Sequence, residues 1–124
     1  MQDRLKYRFW HKPTKKMLDC YGFNKDFVFG DTLDGVGTTY NPAKFEDCIL
    51  MQCTGLKDKN GKLIYEGDIV NYSCLPGYSD IYACTFNRGG FLIGGLLISN
   101  THLKSEVIGN IYENPELLEV SNDH

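Results

Sequence analysis

No apolar run in this sequence is long enough to cross a bilayer. The string FLIGGLLI (91–98) spans eight residues and is broken by two glycines, against about 18 required for a spanning helix. The start, MQDRLKYRFW, carries charge but neither an apolar segment nor a small-residue cleavage site, so no secretory signal is expected. The five cysteines (Cys20, Cys48, Cys53, Cys74, Cys84) are odd in number and irregularly spaced. None forms the C-x₂₋₄-C knuckle of a structural zinc site, so neither a disulfide framework nor a metal centre is expected. They read as reduced thiols, mostly small core hydrophobes, in a soluble cytoplasmic protein.

Catalytic signatures are equally sparse. Histidine occurs at 11, 102 and 124 only, in no motif that would make one of them the base for a Cys or Ser nucleophile. The acidic loop GDTLDGVG, with Asp31 and Asp34, lacks the alternating ligands and final Glu of a calcium loop. The glycine pairs of NRGGFLIGGLL fit neither the dinucleotide-binding nor the phosphate-binding pattern. The chain is expected to be no enzyme and to need no cofactor.

What is present is a globular balance. The 124 residues are 42% apolar and 23% charged, enough for one domain over 1–124 with a real core. A net charge of −3 argues against a surface that wraps nucleic acid throughout. The charge is nevertheless segregated. Residues 4–16 contain Arg4, Lys6, Arg8, Lys12, Lys15 and Lys16 and no acid, whereas residues 105–124 contain Glu106, Glu113, Glu116, Glu119 and Asp123 without Lys or Arg. The two ends could face each other within a chain, meet head to tail between chains, or be two solvated faces.

Alternation in RLKYRFW marks a half-buried strand, HKPTKK a turn, and MLDCYGF a returning strand. Residues 24–47 read as loops with short extended pieces, with a helical turn in PAKFEDC. From ILMQCTGL onward, short strands alternate with glycine-containing turns. LIY, IVNYSC, IYACTFN, FLIGGLLIS and EVIGNIY are the strands, with Gly94-Gly95 a bulge or bend within the fourth. This spacing predicts a mainly β barrel or sandwich. In NPELLEV, Asn114 is expected as N-cap and Pro115 as first residue of a short helix, with Leu117 and Leu118 packing back.

The stretch TGLKDKNGKLIYEGDIV (54–70) looks most like a site. As a two-residue type I′ turn, Asn60-Gly61 would set Lys59 against Lys62, a like-charge pair. As a type I turn over 58–61 with Gly61 left-handed in a bulge, Asp58 faces Lys62 instead. The second reading is preferred, because turn chemistry and charge agree; each such pair is worth roughly 0.2–1 kcal/mol. Tyr65, Glu66 and Asp68 could line a small-molecule pocket, with Glu66 and Asp68 on one side of a strand. Alternatively, Gly67 and Asp68 form a tight bend in which Asp68 accepts backbone N–H groups. Structural roles are assigned to Asp58, Asn60, Gly61 and Gly67. A second candidate contact surface, for nucleic acid or another partner, is Lys6, Arg8, Trp10, Lys12 and Lys15, basic groups interleaved with aromatics.

The strings ILMQCTGLKDKNGKLIYEGDIV (49–70), EVIGNIYENPELLEV (106–120) and YRFWHKPTKKM (7–17) resemble the YopX family of phage and prophage proteins. Cys53 departs from the pattern where an aromatic is expected, and His11 where an acidic residue is. The resemblance implies a small SH3-like β-barrel, core roughly 48–112, with an extra N-terminal β-hairpin and a short C-terminal helix. It carries over no catalytic or binding residue. The function expected is that of a phage- or prophage-encoded accessory protein in a bacterial cytoplasm. It would be a non-catalytic binding module for a host or phage protein, possible as a homo-oligomer and with no membrane partner. Nucleic-acid binding through the basic segment and small-molecule binding are the alternatives.

Overall fold

The computed structural model describes residues 6–32, 43–87 and 89–122. These fall into two compact units, within Leu5–Gln52 and within Cys53–His124. Both are mainly β, every strand pairs antiparallel, and the described residues contain a single short α-helix. No helix among them is long and apolar enough to cross a membrane.

The N-terminal unit is built from β1 (Tyr7–His11), β2 (Lys16–Phe23), β3 (Phe27–Thr32), β4 (Ala43–Lys44) and the start of β5 (Cys48–Lys57), in the order β4-β3-β2-β1-β5. Register explains its core. Phe9 stands opposite Leu18 on β2 and Leu50 on β5. Phe9, Leu18 and Val28 are buried together, with Cys20, Ala43, Cys48 and Leu50 packed around them. The β1–β2 turn closes with the Lys15 N–H donating to the His11 carbonyl at 2.8 Å, Lys15 itself being left-handed (φ 57°). At the next turn the Asn24 Oδ1 accepts the N–H groups of Asp26 and Phe27, both at 2.8 Å, an Asx turn that reverses the chain into β3.

Residues 24–47 hold more regular structure than their sequence suggests. β3 pairs with β2 from Phe23↔Val28 to Leu18↔Thr32. Its glycine and a bulge in β2 between Cys20 and Gly22 break the period of two on which a strand is recognised. Ala43 and Lys44 are extended, and the helical turn is a 3₁₀ turn at Phe45–Asp47. Asp34, Gly35, Gly37 and Pro42 lie outside the described residues.

The C-terminal unit contains the rest of β5, then β6 (Leu63–Tyr65), β7 (Asp68–Leu75), β8 (Tyr78–Asn87), β9 (Gly90–Ile93), β10 (Leu96–Leu97), β11 (Ser105–Asn110) and α1 (Glu116–Asn122). β5 pairs with β6, and the sheet order is β10-β9-β8-β7-β11. Ile64, Val70, Cys84, Ile93 and Ile98 form its core, with Leu56, Tyr72, Tyr82, Phe91 and Val107 packed against them. Each aliphatic side chain buried there contributes roughly 1.5–3 kcal/mol. α1 packs on β8, and its Leu117 and Leu118 are half-buried.

Two local expectations are corrected. FLIGGLLIS is not one strand. Gly94 and Gly95 have φ of 59° and 80° and form a two-residue hairpin turn, with Ile93 opposite Leu96. Two consecutive positive φ values are the type I′ geometry, which matches the right-handed twist of the flanking strands. Asn114 does not turn its side chain into the helix that follows. Its Oδ1 accepts the Asn110 N–H behind it at 3.2 Å, and only its carbonyl receives the Leu117 N–H at 3.1 Å.

The β5–β6 connection is a bulged type I turn. The Gly61 N–H donates to the Asp58 carbonyl at 3.0 Å and the Asp58 N–H to the Lys62 carbonyl at 2.8 Å. Gly61 has a φ of +86°, and a Cβ built there meets nothing within 4 Å. Gly61→Ala is therefore expected to cost only the left-handed strain, about 1–2 kcal/mol. A urea titration measures it; a change under about 0.3 kcal/mol would show the turn to be relaxed.

Candidate binding surface

The polar residues of the central stretch are spent on the fold. Asp58 is 3% exposed. Its Oδ1 accepts the N–H groups of Asn60 and Lys62 at 2.8 and 2.9 Å, and its Oδ2 accepts the Val107 N–H of β11 at 2.9 Å. Burial pushes its pKa up, but the N–H groups of Val107, Lys62 and Asn60, helped by the Lys62 charge, outweigh this and hold it below the ordinary Asp value. The reach to Val107, 49 positions away, has no signal in local sequence. The Lys59 N–H donates to the Ser105 carbonyl at 2.9 Å and the Asn60 Nδ2 lies 3.4 Å from the Glu106 Oε2, two further ties between this turn and β11.

Asp68 is 2% exposed and accepts the Tyr65 N–H on its Oδ2 at 2.8 Å. Between them, the Gly67 N–H donates to the Cys84 carbonyl and the Gly67 carbonyl accepts the Ile111 N–H, both at 2.9 Å. Tyr65 and Glu66 are half-buried. The bend thus joins β8 to the segment after β11. That segment is held by Asn110, whose Oδ1 accepts the N–H groups of Tyr112 and Glu113 and whose Nδ2 donates to the Glu113 carboxylate at 2.7 Å. Asp58, Gly67, Asp68, Asn110 and Asn114 are one framework of backbone-satisfying contacts.

The basic segment divides. Lys6, Arg8 and Trp10 alternate to one side of β1, and the register sets Arg8 opposite Asp19 and Met51, and Trp10 opposite Met17 and Ile49. Met17 and Met51 are buried, and Arg8 and Trp10 are half-buried. Lys12 and Lys15 fall in the turn, exposed, with the Lys12 N–H on the Asp47 carbonyl at 2.9 Å.

Sulfur and imidazole groups are similarly placed for structure. Burial, with the charge of Asp47, pushes the Cys48 thiol up to about 11, and burial raises Cys20 as well. Both remain protonated at neutral pH, the unreactive form. His102 donates its Nδ1–H to the Lys57 carbonyl at 2.7 Å. Among the described residues no group of three or more His, Cys, Asp and Glu is placed to hold a metal ion.

A surface that the sequence reading missed lies on the N-terminal unit. The ring of Phe23 meets Tyr7 edge-on at 5.6 Å between centroids and Phe45 at 6.2 Å. Phe23 is 45% exposed and Phe45 37%. The three rings come from β1, the end of β2 and the 3₁₀ turn, so no single periodicity announces them. Phe23 follows the β2 bulge, where alternation fails. Lys25, Asp26, Lys44 and Glu46, near Phe23 and Phe45 in the sequence, are all exposed. Exposed aromatic rings with charges of both signs close by in the chain suit a protein-binding patch better than a single-stranded nucleic-acid platform, which is lined by basic groups.

A family model described as YopX protein matches residues 6–119. Among solved structures, protein EF1440 from Enterococcus faecalis is 31% identical. The match covers 91% of this chain and 96% of that one, with a TM-score of 0.66. Protein yopX from Bacillus subtilis, 22% identical over 92% of this chain and 98% of its own, has the same fold at a TM-score of 0.59. No curated protein matches.

Proposed function

This chain belongs to the YopX family, and we propose that it is a phage- or prophage-encoded accessory protein acting as a non-catalytic binding module for a host or phage protein. The observation that carries the reading is the aromatic cluster of half-buried Tyr7 with exposed Phe23 and Phe45. Aromatic rings held rigid by strands supply contact area at little cost in side-chain entropy, and such residues dominate protein interfaces. The use of Asp58 and Asp68 as backbone acceptors supports a binding role over acid–base chemistry in the central stretch. In this reading residues 48–112 supply the core of a small SH3-like barrel in a single cytoplasmic domain of residues 1–124.

The test compares tagged wild-type chain with Phe23→Ser/Phe45→Ser in affinity purification from phage-carrying cells. One or more phage or host proteins should be retained by the wild type and at least tenfold less by the variant, with circular dichroism spectra of the two superimposable. Equal recovery by both chains, or nothing beyond the bait, would overturn the reading.

A further inference from the structure

We propose that Asn60 is a site of spontaneous deamidation, a self-modification that the closed turn holds back and that loosens the turn from β11 once it has happened. Asn60 is the one asparagine of the chain followed by glycine. With no side chain on Gly61 to shield it, the Gly61 backbone nitrogen has open access to the Asn60 side-chain amide carbon. Both residues are exposed, and even a Cβ added at Gly61 would meet nothing within 4 Å. The chemistry needs only water. The Gly61 nitrogen bonds to the Asn60 Cγ, the Cγ–Nδ2 bond breaks, and Nδ2 leaves as ammonia together with the Gly61 proton. Water then opens the cyclic imide. Cleavage of the new bond between Cγ and the Gly61 nitrogen leaves aspartate. Cleavage between that nitrogen and the Asn60 main-chain carbonyl leaves isoaspartate, whose backbone runs through Cβ and Cγ. Nothing is oxidised or reduced.

The fold sets both the timing and the consequence. The attacking nitrogen is tied down, its N–H donating to the Asp58 carbonyl at 3.0 Å, and the Asp58 Oδ1 holds the N–H groups on either side of it, those of Asn60 and Lys62. Reaction therefore waits for a local opening of the turn. The departing Nδ2 is the atom that lies 3.4 Å from the Glu106 Oε2. Replacing it with a carboxylate oxygen removes a donor and sets two like charges across the contact with β11. The Lys59 ammonium, 4.0 Å from the Glu106 carboxylate, must then serve both. Isoaspartate also lengthens the main chain between the Asn60 and Gly61 N–H groups, so the Asp58 acceptors no longer match both.

Incubation of the full chain at pH 8 and 37 °C, followed by anion exchange and peptide mapping by mass spectrometry, tests this. A species with one added negative charge should accumulate, with NH exchanged for O at Asn60. It should form at least tenfold more slowly than in the same chain unfolded in guanidinium chloride. In the separated species, native hydrogen exchange should be at least threefold faster at the Lys59 N–H, which donates to the Ser105 carbonyl. Asn60→Asp should speed the same amide, and by less in a Glu106→Gln background than in the wild type. An Asn60 still intact in the folded chain after a month, equal rates in the folded and unfolded chains, or earlier conversion at another asparagine would each overturn the proposal. So would unchanged exchange at Lys59, or an Asn60→Asp effect indifferent to residue 106.

Discussion

Asp58→Ala is expected to destabilise the protein by about 3–5 kcal/mol, because three backbone N–H groups lose a charged acceptor and at least one stays buried. For a chain of this size that lowers the melting temperature by roughly 10–20 °C. Asp58 is bound to the turn at Asn60 and Lys62 through one oxygen and to β11 at Val107 through the other. Asp58→Asn keeps a single acceptor oxygen, so it can serve the turn or β11 but not both, and should cost less than the alanine. The pH dependence has a definite sign. The folded pKa of Asp58 lies below its ordinary value of 3.8, so its contribution is complete above that value and is lost as pH falls through the folded pKa. Urea midpoints measured from pH 7 to pH 2.5 should fall more steeply in the acid range for the wild type than for Asp58→Asn. Parallel curves would remove the carboxylate from this role.

The Asp58 turn also marks how far sequence reading reaches. Asp58, Asn60 and Gly61 are local turn chemistry, and residues four apart suffice to recognise it. That Asp58 is buried, and that its second oxygen ends on Val107, depends on β11 returning beside the turn, which no local pattern encodes. The same divide runs through the whole chain. β1 is legible because its period of two survives from Tyr7 to His11, and β7 and β8 because runs of β-branched and aromatic residues stand between glycine-containing turns. β3 and the β9–β10 hairpin are not, because glycine removes the side chains that carry the pattern, and a bulge shifts the phase by one residue. The aromatic surface fails for a third reason. Tyr7 reads correctly as a residue on the Phe9 side of β1, yet its meeting with Phe23 and Phe45 is set by where three separate elements end. The basic segment spans two kinds of local structure, with Arg8 and Trp10 on a strand and Lys12 and Lys15 in the turn after it.

Gly30→Ala is expected to cost about 3 kcal/mol, the upper end of the usual range for overpacking, although Gly30 sits in a strand where alanine is conformationally acceptable. A Cβ at this position would collide with the Asp19 carbonyl oxygen and with the edge of the Phe9 ring. Phe9 cannot move away cheaply, since it is packed between Leu18 and Leu50 in register and is the largest fully buried side chain. The backbone of β2 cannot move at all without breaking the Cys20↔Gly30 pairing beside it. These two obstacles are separable. Shortening the ring with Phe9→Leu removes one collision and leaves the other, so Gly30→Ala should cost less in that background while remaining destabilising. The double-mutant cycle should show a favourable coupling of roughly 0.5–2 kcal/mol between the sites, read from urea midpoints at constant slope. Strict additivity would mean that the Asp19 carbonyl alone excludes the methyl group. Full recovery in the double variant would mean that the ring alone does, and that β2 yields. Either result would locate the rigidity of the N-terminal unit, and with it the support on which the exposed ring of Phe23 meets Tyr7.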